Sequence, residues 1–267
     1  PHNSAYPSWS SDGSSIYFQT DINGNWDIAE MSTSGANIQY LINSPANECH
    51  PSISNDDRFI AYTTDIFDTR SIYNEQKWRE IMVYDTRNKI SDRTTRNYLD
   101  DFYPRFNRHN MEMTYITEEV NAKKINYGER FTYLFTMEQN GAFQIPAVKK
   151  GDYFINSGVK WQNEDKEEEV IYSSKENKKN YSLYKRNLKR SKAEPLLESG
   201  FNLISVDVSK DGKHILFTTD QFASLDLMMT DRYASRIERL TSYANDEDQA
   251  VFSPDGQKIA FHSNKGG

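Results

Sequence analysis

The sequence predicts an all-β fold, a six-bladed β-propeller of four-stranded antiparallel blades. A short unit that reads as strand, tight turn and strand recurs six times along the 267 residues. The copies are spaced by the length of one propeller blade, roughly 40–50 residues. Tyr and Phe are abundant, at 17 and 14, and aromatic residues favour strands.

The clearest copy of the unit covers 252–261 and reads FSPDGQKIAF. Two close copies and one looser copy share its turn, and two eroded copies have lost the Asp-Gly pair. The intervals between the first residues of successive copies are 44, 53, 55, 47 and 44. The six copies begin at Trp9, Ile53, Phe106, Trp161, Val208 and Phe252.

Each unit predicts the first two strands of one blade. The Asp-Gly pair, as in Asp255-Gly256, supplies the positive φ angles that a tight hairpin turn needs. Alternating apolar and aromatic residues on both sides are typical of buried strands. A polar turn and a third strand follow, as at 26–31, and a fourth, outer strand precedes the next unit, as at 36–41.

The stretch 252–264 resembles the TolB-type propeller repeat, in which Ser-Pro-Asp-Gly-x-x-Ile-Ala-Phe is followed by Ser-Asn. The resemblance covers essentially the whole chain and is strongest in blades one, five and six. The same repeat is found in the propellers of prolyl-oligopeptidase-like and tricorn-like peptidases and of oligogalacturonate lyases. It therefore implies the fold more closely than the function.

We expect 1–267 to form one TolB-like propeller domain, with blades at about 5–48, 49–101, 102–156, 157–202, 203–248 and 249–267. The last unit is followed by too few residues for its third and fourth strands. The sixth blade is therefore expected to be partial, and the sequence to be part of a longer chain.

Charge and composition exclude several classes of function. The chain has 39 acidic and 32 basic residues, a net charge of −7, whereas nucleic-acid binding depends on a positive field. The sequence has no run of 18 apolar residues, so no membrane-spanning helix is predicted. Cys49 is the single cysteine and cannot form an intramolecular disulfide.

Polar residues at the beginning of each inner strand are the predicted binding site. Propeller geometry brings these positions to one mouth of the central channel, where a mainly acidic cluster would attract a basic loop, an amine or a cation. The alternative is that they cap strand ends and hold channel waters. The predicted partner-binding residues are Glu48, His50, Asp100, Asp101, Asn156, Asn202, Asp246 and Asp248.

Two insertions, at 67–77 in blade two and 118–130 in blade three, separate the second and third strands. Both would project from the same face of the propeller. Because loops carry much of the function of rigid scaffolds, we expect them to wall the binding surface. Ordinary variation in loop length is the alternative.

No catalytic residue and no metal site are predicted. The segment 21–27 has oxygen-bearing side chains at alternate positions, as a Ca²⁺ loop does. Its glycine also lies where the repeat needs a turn, so a site for Ca²⁺ or another divalent ion is only the alternative. Cys49 and His50 are adjacent, and adjacent residues of a strand point to opposite faces, which argues against a nucleophile–base pair.

The resemblance implies a non-catalytic protein–protein interaction module of the bacterial cell envelope, periplasmic or outer-membrane-associated. We expect it to bind a protein or peptide at the acidic channel mouth and the adjoining loops. The resemblance suggests an envelope lipoprotein as the partner. Two alternatives are the substrate-gating propeller of a larger peptidase and a carbohydrate-active propeller similar to oligogalacturonate lyase.

Overall fold

A computed structural model describes most of the chain, and its described part contains strands and no helix. The prediction of an all-β fold is confirmed. Within the described ranges, no helix is long and apolar enough to cross a bilayer. The described residues are 2–68, 78–97, 99–108, 111–118, 132–139, 141, 145–148, 158–162, 167–175, 179–189 and 193–265.

The strands form five four-stranded antiparallel sheets, the blades of a propeller, and one two-stranded sheet. Blade one has β1 (Ser4–Trp9), β2 (Ser15–Thr20), β3 (Asp27–Ser32) and β4 (Gln39–Ile42). Blade two has β5 (Glu48–Ile53), β6 (Phe59–Thr64), β7 (Glu80–Asp85) and β8 (Ile90–Arg93). Blade three has β9 (Asp100–Phe106), β10 (Glu112–Glu118), β11 (Thr132–Glu138) and β12 (Ile145–Val148).

Blade four has β13 (Val159–Gln162), β14 (Glu168–Ser174), β15 (Ser182–Asn187) and β16 (Glu194–Leu197). Blade five has β17 (Leu203–Val208), β18 (His214–Thr219), β19 (Asp226–Asp231) and β20 (Ile237–Arg239). The last sheet has only β21 (Glu247–Phe252) and β22 (Ile259–Ser263). The described residues thus contain five complete blades rather than six.

The first and last sheets lie next to each other and close the ring. Strand β1 packs against β21 and β22. The backbone N–H of Tyr6 donates to Gln249 Oε1 at 3.0 Å, and the Trp9 indole N–H donates to the Val251 carbonyl at 3.2 Å. The first strand of each sheet therefore faces a common central channel.

The hydrophobic core lies between the blades. Five clusters of buried side chains each combine residues of two consecutive sheets. Ile28 of blade one and Ile60 of blade two, both fully buried, belong to one such cluster. Burial of an aliphatic side chain of this size contributes roughly 1.5–3 kcal/mol, so adjacent blades stabilise each other.

The hairpin turns differ in one respect from the prediction. Only the glycine has positive φ, 71° at Gly13 and 70° at Gly212 and Gly256, whereas the preceding aspartate does not. That aspartate accepts a hydrogen bond instead: Ser10 Oγ donates to Asp12 Oδ1 at 2.7 Å. In blade two, Asp57 takes the glycine's place, with φ 57°.

Candidate functional site

Five inner strands carry a bulge at the same position of the repeat. The pairing register shifts there in β1, β5, β9, β17 and β21. A bulge leaves a residue outside the ladder, which suits the proline that follows the bulged residue in three strands. The bulged residues, with φ from 52° to 58°, are Tyr6, His50, Tyr103, Ser205 and Gln249.

Three bulged residues meet across the channel and form what we call the aromatic plug: Tyr6, His50 and Tyr103. The ring centroids are 4.5 Å apart for Tyr6 and His50 and 4.0 Å apart for His50 and Tyr103. The two tyrosine hydroxyl oxygens are 3.1 Å apart. Burial, with Arg79 nearby, holds the pKa of His50 well below its ordinary value, so the plug is uncharged at neutral pH.

A cavity of about 180 Å³ opens at the end of the channel where the hairpin turns lie, and we call it the hairpin-side cavity. The aromatic plug forms its floor. Trp9 and Phe106 stand in its wall, and Asn55 of the blade-two turn lies at its rim. This end of the channel is opposite to the beginnings of the inner strands.

The charged side chains that line the hairpin-side cavity are basic. Arg105 and Arg108 both bind Asp207, with N···O distances of 2.5 and 2.8 Å. Asp207 is fully buried behind the wall and also accepts the backbone N–H of Phe252 at 2.7 Å. Lys210 is exposed at the rim. Among the described lining residues, no carboxylate faces the cavity.

Three of the predicted binding residues join consecutive blades. Each accepts the backbone N–H of the residue that precedes the third strand of the previous blade, always 21 positions earlier. We call this contact the blade clamp. The donor and acceptor pairs are Arg79 with Asp100 at 2.8 Å, Tyr181 with Asn202 at 3.1 Å, and Leu225 with Asp246 at 2.8 Å.

The same clamp occurs at a residue that sequence analysis missed. Asn47 accepts the N–H of Trp26 at 3.3 Å. Asn47 could have been found in the sequence, because it is a polar residue one position before Glu48 and is equivalent in the repeat to Asp100 and Asn202.

Glu48 and Asp101 occupy the next position of the repeat and are buried. Glu48 accepts hydrogen bonds from the N–H and hydroxyl of Ser44, and Asp101 accepts one from the amide of Asn97. Burial raises the pKa of Glu48 above its ordinary value and raises that of Asp101 to about 7.

The remaining predicted residues have separate surroundings. Asp248 accepts a hydrogen bond from Thr218 Oγ1 at 2.9 Å, and Asn156 lies outside the described residues. Of the seven described, His50 is the one that lines the hairpin-side cavity. Binding of a partner by these residues stays a prediction.

Most residues of the two insertions predicted to wall the binding surface also lie outside the described residues. Only 67–68 of the first insertion and 118 of the second are described. Their contribution to a binding surface stays a prediction.

The oxygen-rich turn between β2 and β3 uses its carboxylates for hydrogen bonds within the chain. Asp21 accepts from the N–H and amide of Asn3, and Asp27 accepts from the amide of Asn23 at 2.7 Å. Gly24 has φ 100°, as the turn interpretation predicts. The described residues include no group of three His, Cys, Asp or Glu side chains arranged to hold a metal ion.

Apart from His50, the cavity residues were not predicted, although part of the signal was in the sequence. Aromatic-Pro pairs occur at Tyr6-Pro7, His50-Pro51 and Tyr103-Pro104, at the spacing of the repeat. The basic lining has no such periodicity, because Arg105, Arg108 and Lys210 come from two blades about 100 residues apart.

Comparison with known proteins finds similarity to TolB proteins. No family model matches the sequence. The Tol-Pal system protein TolB of Wolinella succinogenes is 29% identical over 177 residues, which are 62% of this chain and 40% of that protein. The match therefore spans about two fifths of the relative's length.

Solved structures show the same fold at low sequence identity. A putative TolB from Agrobacterium tumefaciens has a TM-score of 0.75 at 13% identity, over 98% of this chain and 91% of that chain. TolB from Acinetobacter baumannii has a TM-score of 0.70 at 12% identity, over 93% of this chain and 56% of that chain. Enzymes share the fold too: an oligogalacturonate lyase in complex with manganese has a TM-score of 0.64 at 11% identity, over 97% of this chain and 71% of that chain.

Proposed function

Because the chain is a TolB-like β-propeller, we propose that it is a non-catalytic protein-interaction module of a bacterial envelope, working in a Tol–Pal-type system. It would be periplasmic or outer-membrane-associated, and its partner a protein or peptide, with an envelope lipoprotein as the first candidate. The relative named as a Tol-Pal system protein supports the setting. The hairpin-side cavity, with its closed floor, is the observation that supports binding.

The size of the cavity favours a short segment of the partner over a folded domain. Its volume of about 180 Å³ lies below the roughly 300 Å³ at which small-molecule pockets usually begin. Trp9, which is half-buried, offers aromatic surface for an apolar side chain, the kind of anchor that carries much of the affinity at interfaces.

The opposite end of the channel is the competing location. The sequence-based proposal places the partner at the acidic end, on Glu48, Asp101, Asp246 and their neighbours. Most of these carboxylates already accept hydrogen bonds within the chain, so binding there would need the partner to break or share those bonds. The hairpin-side cavity needs no such exchange.

The two enzyme-related alternatives rest on likeness of fold alone. Propellers of a lyase and of the tricorn protease superpose on this chain at 11% and 13% identity. A shared propeller does not imply shared chemistry.

Affinity capture from a bacterial envelope extract, read by mass spectrometry, tests the proposal. The baits are the wild type, Asn55→Trp and Gln221→Trp. Asn55 is exposed at the rim of the cavity, and Gln221 is exposed in the β18–β19 turn at the opposite end of the propeller. Both variants add the same bulky side chain to a loop, so each controls for the other.

We expect the capture to yield specific proteins that bind the wild type and Gln221→Trp but do not bind Asn55→Trp. Loss with Gln221→Trp alone would place the partner at the strand-start end instead. If the folded wild type retains no protein specifically, the interaction function itself is contradicted.

A further inference from the structure

We propose that the hairpin-side cavity selects an acidic partner segment, with one carboxylate bound between Arg108 and Lys210. The inference rests on the proposed function and names the chemistry of the partner. It also reverses the sign of the partner's charge. The sequence predicted an acidic surface, and hence a basic partner, at the other end of the channel.

Arg108 has hydrogen-bond donors left for a ligand. Its Nη2 donates to Asp207 at 2.8 Å and to the Phe252 carbonyl at 3.3 Å. Its Nε and Nη1 donate to no group among the described residues. Lys210, on the same cavity lining, forms no ion pair with any described residue.

Asp207 holds the Arg108 guanidinium in position without cancelling the positive charge of the cavity. The buried carboxylate binds Arg105, Arg108 and the N–H of Phe252 at once, which fixes both guanidinium groups in the wall. A preorganised donor loses little freedom when a ligand binds. Two guanidinium groups share this one carboxylate, and Lys210 adds a third positive charge.

The positive cavity contrasts with a protein whose net charge is −7. Most of the surface would repel an acidic peptide, whereas the cavity would attract one, so the local field would direct the segment to this end of the channel. A carboxylate between aromatic and proline walls is partly shielded from water. Charge-assisted hydrogen bonds are stronger where water is excluded. An apolar side chain beside the acid would pack against Trp9.

Selection from a library of random linear peptides tests the inference with the intact chain as the target. Parallel targets are wild type, Asn55→Trp, Lys210→Glu and Lys213→Glu. Lys213 is the matched control, because it is an exposed lysine of the same hairpin that does not line the cavity. We expect Asp and Glu to be enriched with wild type and Lys213→Glu, and the enrichment to vanish with Lys210→Glu.

Synthetic versions of the best selected peptide then identify the source of the carboxylate. Replacing its acidic side chain by the amide should weaken binding about 10-fold, the effect of losing one charge-assisted hydrogen-bonded contact. If amidating the peptide's C-terminus causes the loss instead, the terminal carboxylate is the ligand. Both results support the inference, and binding should weaken as salt is raised.

Other outcomes overturn it. Peptides that Asn55→Trp blocks but that show no acidic preference, or a basic one, contradict the acidic partner and leave the proposed function intact. If no selected peptide is sensitive to Asn55→Trp, the cavity is not a peptide site. Failure of the envelope capture with every bait would instead contradict the proposed function.

Discussion

Equivalent glycines of the hairpin turns have different neighbours, although their backbones are alike. Gly212 and Gly256 both have φ 70°. A Cβ at Gly256 would meet no atom within 4 Å, whereas one at Gly212 would overlap the ring of Trp161 in the preceding blade. The glycine of blade five is therefore required twice, by the turn and by the blade interface.

This difference predicts unequal losses of stability. Gly256→Ala should lower the free energy of unfolding by about 1–2 kcal/mol, the cost of the left-handed conformation for a residue with a Cβ. Gly212→Ala should cost at least about 1 kcal/mol more, because the Trp161 ring has to move. Urea unfolding of the two variants and the wild type measures both values, and equal losses would contradict the contact with Trp161.

At the level of strands, the blade clamp explains why a polar residue precedes or begins the inner strand of blades two, three, five and six. In blade five, Asn202 also bonds to Asp220, with its amide donating at 2.5 Å and its N–H at 2.8 Å. Blade six has the same pair with the residues exchanged, because Asn264 donates to Asp246. The side-chain hydrogen bond can form with asparagine at either of the two positions, as long as the other residue is the aspartate that accepts it.

The exchange can be tested by a double-mutant cycle. Asn202→Asp places two carboxylates against each other and should cost about 1–3 kcal/mol of unfolding free energy. Adding Asp220→Asn recreates the blade-six order and should restore most of the loss. Chemical denaturation of the two single variants and the double variant provides the measurement. Additive losses would show that the pair does not act as a unit.

The limits of sequence prediction are clearest at these strand beginnings. The turns were predictable because Asp-Gly acts through local backbone geometry. The acidic residues were assigned to a solvent-facing mouth because the residues that donate hydrogen bonds to them are distant in the sequence. Arg79, for example, donates to Asp100 from 21 positions away, at 2.6 and 2.9 Å. The cavity likewise needs Arg108 and Asp207, from two different blades, and no short motif records such a pairing.

Across the whole molecule, two carboxyl groups, those of Asp101 and Asp12, respond to pH in opposite senses. Asp101 is buried, and its pKa rises from 3.8 to about 7. Asp12, in an exposed turn, has its pKa lowered to about 2, first by the hydrogen bond from the N–H of Ser14. The stability contributed by Asp12 is present above about pH 4 and lost as the pH falls towards 2, because protonation favours the unfolded chain.

The contribution of Asp101 has the opposite sign. Its folded pKa is raised, so its stabilising protonated form is fully present below about pH 4 and lost as the pH rises through 7. Stability should fall between these values by at most about 1.4 kcal/mol per pH unit from this group. Asp101→Asn removes the effect and should gain stability over wild type more at pH 8 than at pH 5.

Thermal unfolding at the two pH values checks this prediction. Asp12→Asn serves as the control, because Asp12 is ionised in both the folded and unfolded chains throughout that range, and its difference from wild type should stay constant. A pH-independent difference for Asp101→Asn would show that the carboxyl ionises normally.

The packing of β1 against β21 and β22 has a consequence for how the protein comes apart. In a linear array of repeats, a terminal unit has one neighbour and can fray while the rest persists. In this ring, every sheet has a neighbour on both sides. Detaching one of blades two to five exposes two apolar interfaces together, whereas none of the five buried clusters among the described residues spans the contact between the first and last sheets. We therefore expect the inner-strand amides of blades two to five to exchange by global, cooperative opening with similar protection factors, and those of the first and last sheets to be less protected.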